Sequence, residues 1–105
     1  IDNNNLETLG NTSIILDIEP LAKKIEAFGW DVKRIDGHSF DQIIEALKTR
    51  PTEKPLAIIA ETIKGKGISF MEHGCEWHVK YPNEDEYKRA KIELGSVKLA
   101  PGVTE

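Results

Sequence analysis

PLAIIAETIKGKG, residues 55–67, sets a continuous apolar run directly against two lysines that alternate with two glycines. The apolar run is bounded by Pro55 and by the glycine-rich segment, and it lacks the in-out alternation of a half-exposed strand. It reads as an interior strand covered on both faces, the kind found in parallel sheets. The chain before it supplies the other elements such a sheet needs.

EPLAKKIEAFGW (residues 19–30) carries Leu21, Ile25 and Phe28 at helical spacing, opens at Pro20 and closes at Gly29, so it predicts an amphipathic helix. The strand DVKRI follows, with Val32 and Ile35 as its buried positions. After the turn DGHS, Ser39 and Gln42 form an S-x-x-Q capping box for a second helix. Phe40, Ile43, Ile44 and Leu47 line one face of it until Thr49-Arg50-Pro51 ends it. A third helix is expected from Asn83, with Glu86 as its box partner and Tyr87, Ala90, the stem of Lys91 and Leu94 on one side, stopping at Gly95. SIILDI (residues 13–18) fits either a strand or a short turn leading into the first helix. Helices alternating with short strands predict an α/β fold, a parallel sheet flanked by helices. In such a sheet the chemistry collects beyond the carboxyl ends of the strands. DNNN, DGHS and TIKGKG should therefore share one edge.

Bulk composition narrows the function. With 105 residues, 39% hydrophobic and 30% charged, the chain is ordinary globular material with room for one modest core or part of a larger one. A net charge of −4 argues against a nucleic-acid footprint, and no apolar run reaches a membrane span, so no membrane partner and a cytoplasmic home are expected. The single cysteine, Cys75, forms no internal disulfide and builds no thiolate metal site alone. The chain opens on IDNNN without an initiator methionine and is read as a fragment.

TIKGKG offers backbone that a ligand can approach closely and positive charge for an anion, from Lys64 and Lys66, though a solvated turn is the commoner meaning of such a segment. It matches neither the Walker pattern nor G-x-G-x-x-G. Asparagines crowd into turns for local reasons, and DNNN has that reading too; alternatively, an Asn amide oxygen beside a backbone carbonyl suits Mg²⁺ or Ca²⁺ once a carboxylate and a diphosphate join them. His78, in EWHVKYP, could donate to a diphosphate or relay a proton, with Trp77 anchoring the loop. Lone histidines are usually packed or surface residues, and His38 and His73 are read that way.

In order, DNNN, EPLAKKIEAFGWDV, DGHSFDQIIEAL, PLAIIAETIKGKGISFME, EWH and PNEDEY resemble the amino-terminal, thiamine diphosphate-binding domain of transketolase, and in particular its split-subunit form. The resemblance runs to about Leu94, and its specificity lies in the ordered set. 1-Deoxy-xylulose-5-phosphate synthase has similar segments, but the EAFGW, DGHS and EWH combination favours transketolase. Residues 1–95 would be the C-terminal part of that domain and 96–105 a tail or linker.

The resemblance implies two-carbon ketol transfer between sugar phosphates, as in the pentose phosphate pathway, with thiamine diphosphate and Mg²⁺ (or Ca²⁺) as cofactors. Asn4 would ligate the metal through its side chain and Leu6 through its carbonyl, Lys64 would approach the cofactor, and His78 would be the active-site histidine. Lys80 lies nearby. The GDG half of the cofactor motif and the catalytic glutamate of the pyrimidine-binding domain are absent. The implied partners are the remaining domain segment and a pyrimidine-binding subunit, in a homodimer or heterotetramer. Val79 replaces a glycine common in the family, and a β-branched residue constrains a turn that glycine would relax. A non-catalytic scaffold of the same fold, or a related enzyme with another donor, is the alternative.

Overall fold

Three parallel strands organise the first 63 residues. The computed structural model describes residues 1–49 and 53–96. It divides into two units, Ile1–Ile63 and the chain from Lys64 onward. In chain order the first unit contains β1 (Asp2–Asn3), β2 (Leu6–Glu7), β3 (Gly10–Asn11), α1 (Thr12–Ile15), α2 (Leu21–Ala27), β4 (Asp31–Asp36), α3 (Phe40–Lys48) and β5 (Leu56–Glu61). The sheet order is β1-β5-β4, with both pairings parallel. β5 is thus the interior strand that its apolar run predicts, but it is covered less evenly than expected: Ala57 and Ile59 on one face are buried, whereas Leu56, Ile58 and Ala60 on the other are half-buried. Its register runs from Asp31 opposite Leu56 to Asp36 opposite Glu61 on one side, and sets Asn3 opposite Glu61 on the other.

The flanking helices follow from local chemistry. α2 starts after Pro20, whose neighbour Glu19 accepts from the Leu21 amide at 2.8 Å, and it ends before Gly29, which takes φ of 86°. α3 begins at Ser39, whose hydroxyl oxygen accepts from the Gln42 amide at 3.4 Å. The return half of the expected box is redirected: Gln42 Oε1 accepts from the Asp36 amide at 2.9 Å, binding the helix to the end of β4 instead of to its own cap. Helix burial is narrower than the periodicity suggests. Ala46 is buried and Ile43 half-buried, while Phe40, Ile44 and Leu47 are exposed, as is Phe28 after α2. A sheet of three strands is too narrow to cover every apolar position on these helices.

SIILDI resolves as the turn rather than the strand. Asn11 caps the single-turn α1, its Oδ1 accepting from the Ser13 amide at 2.9 Å and the Ser13 hydroxyl at 2.8 Å. Ahead of it lies an unanticipated hairpin, with Leu6 opposite Asn11 and Glu7 opposite Gly10. LETLGN carries neither β-branched alternation nor a strong turn dipeptide, so nothing in it announces a hairpin.

The second unit holds a short 3-10 helix, Cys75–His78, and α4, Glu84–Ser96. The predicted capping box of α4 is complete: the Asn83 amide donates to Glu86 at 2.8 Å and the Glu86 amide to Asn83 Oδ1 at 2.9 Å. Gly95 does not stop the helix but lies inside it. Its inner side is Glu86, Ala90 and Glu93, with Glu93 accepting from Ser69, whereas Tyr87, Lys91 and Leu94 are exposed. Arg50-Pro51 and the expected tail after Ser96 lie outside the described residues.

Two substitutions separate crowded from open glycines. A Cβ on Gly37 would clash with Thr62 Cγ2 and lie 3.0 Å from Ala60 Cβ, whereas one on Gly95 would meet nothing within 4 Å. Gly37→Ala should cost about 1–3 kcal/mol in chemical denaturation, and Gly95→Ala should be neutral or stabilise by up to about 1 kcal/mol. The box at α4 also has a pH signature. The Lys80 ammonium and the Asn83 amide hold the Glu86 carboxyl below the usual carboxylate range. Its contribution is therefore present at neutral pH and lost as pH falls through the lowered value. Cα chemical shifts in the first turn of α4 should move toward coil values on acidification, and those of Glu86→Gln should stay flat.

Candidate functional site at the carboxyl edge of the sheet

Because β1, β5 and β4 are parallel, Asn4, Gly37-His38 and Thr62-Ile63 all follow strands at one edge of the first unit. β1 is only two residues long, and side chains reinforce its pairing. The buried Asn3 amide donates to both carboxylate oxygens of Glu61, at 3.2 Å each. Thr62 Oγ1 donates to Asp2 Oδ1. Glu61 in turn receives Arg34 Nε at 2.7 Å, and the same guanidinium pairs with Glu19. That hydrogen bond raises Arg34 above its ordinary value and lowers Glu19 below the carboxylate range.

Asn4, half-buried, is held by a short local bond: its Oδ1 accepts from the Leu6 amide at 2.9 Å, while Asn5 between them takes φ of 60°. This turn orders the amide oxygen and leaves it a second lone pair. The turn thus sets the Asn4 amide oxygen against the backbone N–H of Leu6, and the Leu6 carbonyl is the second oxygen that the resemblance implies. Two neutral oxygens fit a hard divalent cation in part, with carboxylate and phosphate oxygens still required. Among the described residues no group of three or more His, Cys, Asp or Glu side chains is placed to hold a metal.

Within the second unit, the lysine-glycine segment doubles back. The Lys64 carbonyl accepts from the His73 amide at 3.1 Å, and Gly65 and Gly67 take φ of 76° and 93°. Gly65 is fixed twice over, since a Cβ there would lie 2.5 Å from the Met71 carbonyl oxygen. The two lysines, equivalent on paper, differ in company: Lys66 Nζ lies 3.8 Å from Glu72, and among the described residues no carboxylate pairs with the half-buried Lys64.

His78 closes the 3-10 helix and is exposed. Its neighbour Trp77 is the expected anchor: the indole donates to the Phe70 carbonyl at 3.2 Å and meets the Phe70 ring edge-on at 5.7 Å between centroids. The Lys80 ammonium sits 4.1 Å from the Trp77 ring and 2.7 Å from Glu86, so this lysine is engaged locally. Val79, at φ −128° and ψ −16°, takes a conformation that needs no glycine. Asn4 and Leu6 belong to the first unit, and Lys64 and His78 to the second. Arg34, Glu61 and His38 were not singled out from sequence as working residues. Only the lengths of DVKRID and LAIIAE, which bring Arg34 and Glu61 near the same strand ends, carried a trace of the first pair.

Comparison with known proteins gives the chain a family. The model of the transketolase thiamine diphosphate binding domain matches residues 1–101. The chain is 44% identical over 94 residues to one of the subunits of apulose-4-phosphate transketolase from Actinobacillus succinogenes, covering 89% of this chain and 34% of that protein. It is 42% identical over 95 residues to the 6-deoxy-6-sulfo-D-fructose transketolase subunit SqwG of a Clostridium species, again 89% of this chain and 34% of the relative. Human transketolase is 43% identical over 58 residues, 55% of this chain and 9% of that protein. The chain therefore spans about a third of the length of the two bacterial relatives. No helix among the described residues is long and apolar enough to cross a membrane.

The doubled-back segment makes a direct prediction. Gly65→Ala should displace the backbone near Met71 and disturb the Phe70-Trp77 packing in the same unit. In a Trp30→Phe background the remaining Trp77 emission should shift and become more accessible to quencher. Unchanged emission and quenching would contradict the tight approach at Gly65.

Proposed function

The chain belongs to the transketolase family of thiamine diphosphate-binding domains, and we propose that it is the diphosphate-anchoring part of a two-carbon ketol transferase acting on sugar phosphates. The observation that carries this reading is the sheet edge: three parallel strands end together, and an ordered amide oxygen, that of Asn4, follows one of them. When bound, thiamine diphosphate supplies the thiazolium carbon that accepts and releases the two-carbon unit. The side-chain oxygen of Asn4 and the carbonyl of Leu6 would hold Mg²⁺, or Ca²⁺. Lys64, without a carboxylate partner among the described residues, would offset the diphosphate charge. His78, its direction set by the anchored Trp77, would donate a hydrogen bond or move a proton at the reacting rim.

On this reading residues 1–95 are the C-terminal part of a cofactor domain, and the rest of that domain supplies the acidic metal ligand. A pyrimidine-binding subunit completes the site, in a homodimer or heterotetramer, and the two relatives named as transketolase subunits support such a division. The setting is cytoplasmic sugar-phosphate metabolism of the pentose phosphate type.

Calorimetric titration of the assembled protein with thiamine diphosphate and Mg²⁺ tests this. Asn4→Ala and Lys64→Ala should each weaken binding by about tenfold or more, while His78→Ala should keep the affinity and lower kcat. An assembled wild type that binds no cofactor would instead favour a scaffold.

A further inference from the structure

The ladder of β5 ends one residue short of Lys64, and an imidazole completes it. Along a strand, backbone amides alternate between the two neighbours. The Ala60 and Thr62 amides donate toward β1, to Ile1 at 2.9 Å and Asn3 at 3.2 Å. The Ile63 amide therefore falls on the side of β4. There the chain has already turned away: the last backbone bond is from the Gly37 amide to the Glu61 carbonyl at 2.8 Å. His38 Nε2 takes the place of the missing carbonyl and accepts from the Ile63 amide at 2.7 Å. Two local features aim the ring. Gly37 permits close approach to Thr62, and the His38 amide is tied to Asp36 Oδ1 at 2.8 Å. An accepting Nε2 carries the lone pair, which places the imidazole proton on Nδ1.

We propose that His38 is a positioning residue for diphosphate recognition, holding the Ile63 amide and so setting the point from which Lys64 and its glycines leave the strand. This rests on the function proposed above. The competing account is an ordinary loop hydrogen bond that contributes to stability alone. An exposed side chain gains little from burial, so the residue's value under the proposal lies in direction.

The test uses the assembled protein and three variants. His38→Ala removes the acceptor, His38→Asn keeps a polar group too short to reach, and His38→Gln restores an oxygen at about the reach of Nε2. In hydrogen exchange the Ile63 amide should be about tenfold faster in Ala and Asn and near wild type in Gln, with Glu61 unaffected. In titrations with thiamine diphosphate and Mg²⁺, Ala and Asn should lose about tenfold in affinity at unchanged thermal midpoint, and Gln should recover it. Should Ala fail to fold, the Asn and Gln pair gives the same comparison. Faster Ile63 exchange with undiminished affinity overturns the positioning role while leaving the proposed function standing. Unaltered exchange overturns the bond itself. A wild-type assembly that binds no diphosphate takes both readings down together.

Discussion

Glu61 is where the sheet edge is fastened. β1 contributes two residues, too few for a ladder to fix its end firmly, so its direction depends on the carboxamide of Asn3 meeting the carboxylate of Glu61 in register. Arg34, from the opposite neighbour, closes on the same carboxylate. One acid thus joins three strands, and the residue after Asn3 inherits a defined direction. Asn4 then bends back on the Leu6 amide. The order of the candidate oxygen donors is a consequence of a pairing between side chains that themselves point at no ligand.

Much of this was legible in the sequence, for reasons that can be named. LAIIAE announced an interior strand because its apolar run lacks polar alternation, although only the face of Ala57 and Ile59 is fully buried. Ser39 and Asn83 each marked a helix start through the chemistry of caps and Pro20 through its fixed φ, and the shared edge followed from parallel topology alone. What failed was everything set by neighbours rather than by local pattern. Gln42 left its own cap because an unpaired amide at Asp36 was closer to hand. Gly95 stayed helical, the helix running on through it to Ser96. The apolar faces of α3 and α4 read wider than they bury, since periodicity records how much surface could be covered and says nothing of how much sheet there is to cover it.

The site shows the same split. Lys64 and Lys66 each precede a glycine in TIKGKG, and only the fold gives Lys66 a carboxylate while, among the described residues, none pairs with Lys64. His38 was an unremarkable turn residue on paper. Its part depends on an amide 25 positions away losing its natural partner where two strands diverge, a circumstance with no linear signature. Trp77, by contrast, was readable as an anchor because a large ring beside a polar residue nearly always seeks cover and a partner for its N–H.

The acids gathered at the strand ends carry one more implication. Asp2, Asp36 and Glu61 all sit in the strands that end at the edge where, on the proposed function, a diphosphate would be held. Asp36 is occupied by the His38 amide, Asp2 by a threonine hydroxyl and Glu61 by a guanidinium, but only the last contact cancels charge. Left bare, such a rim would repel a diphosphate. On the proposed function a diphosphate would therefore be welcome there chiefly as part of an already neutralised ion pair, and a divalent metal would act as an entry permit.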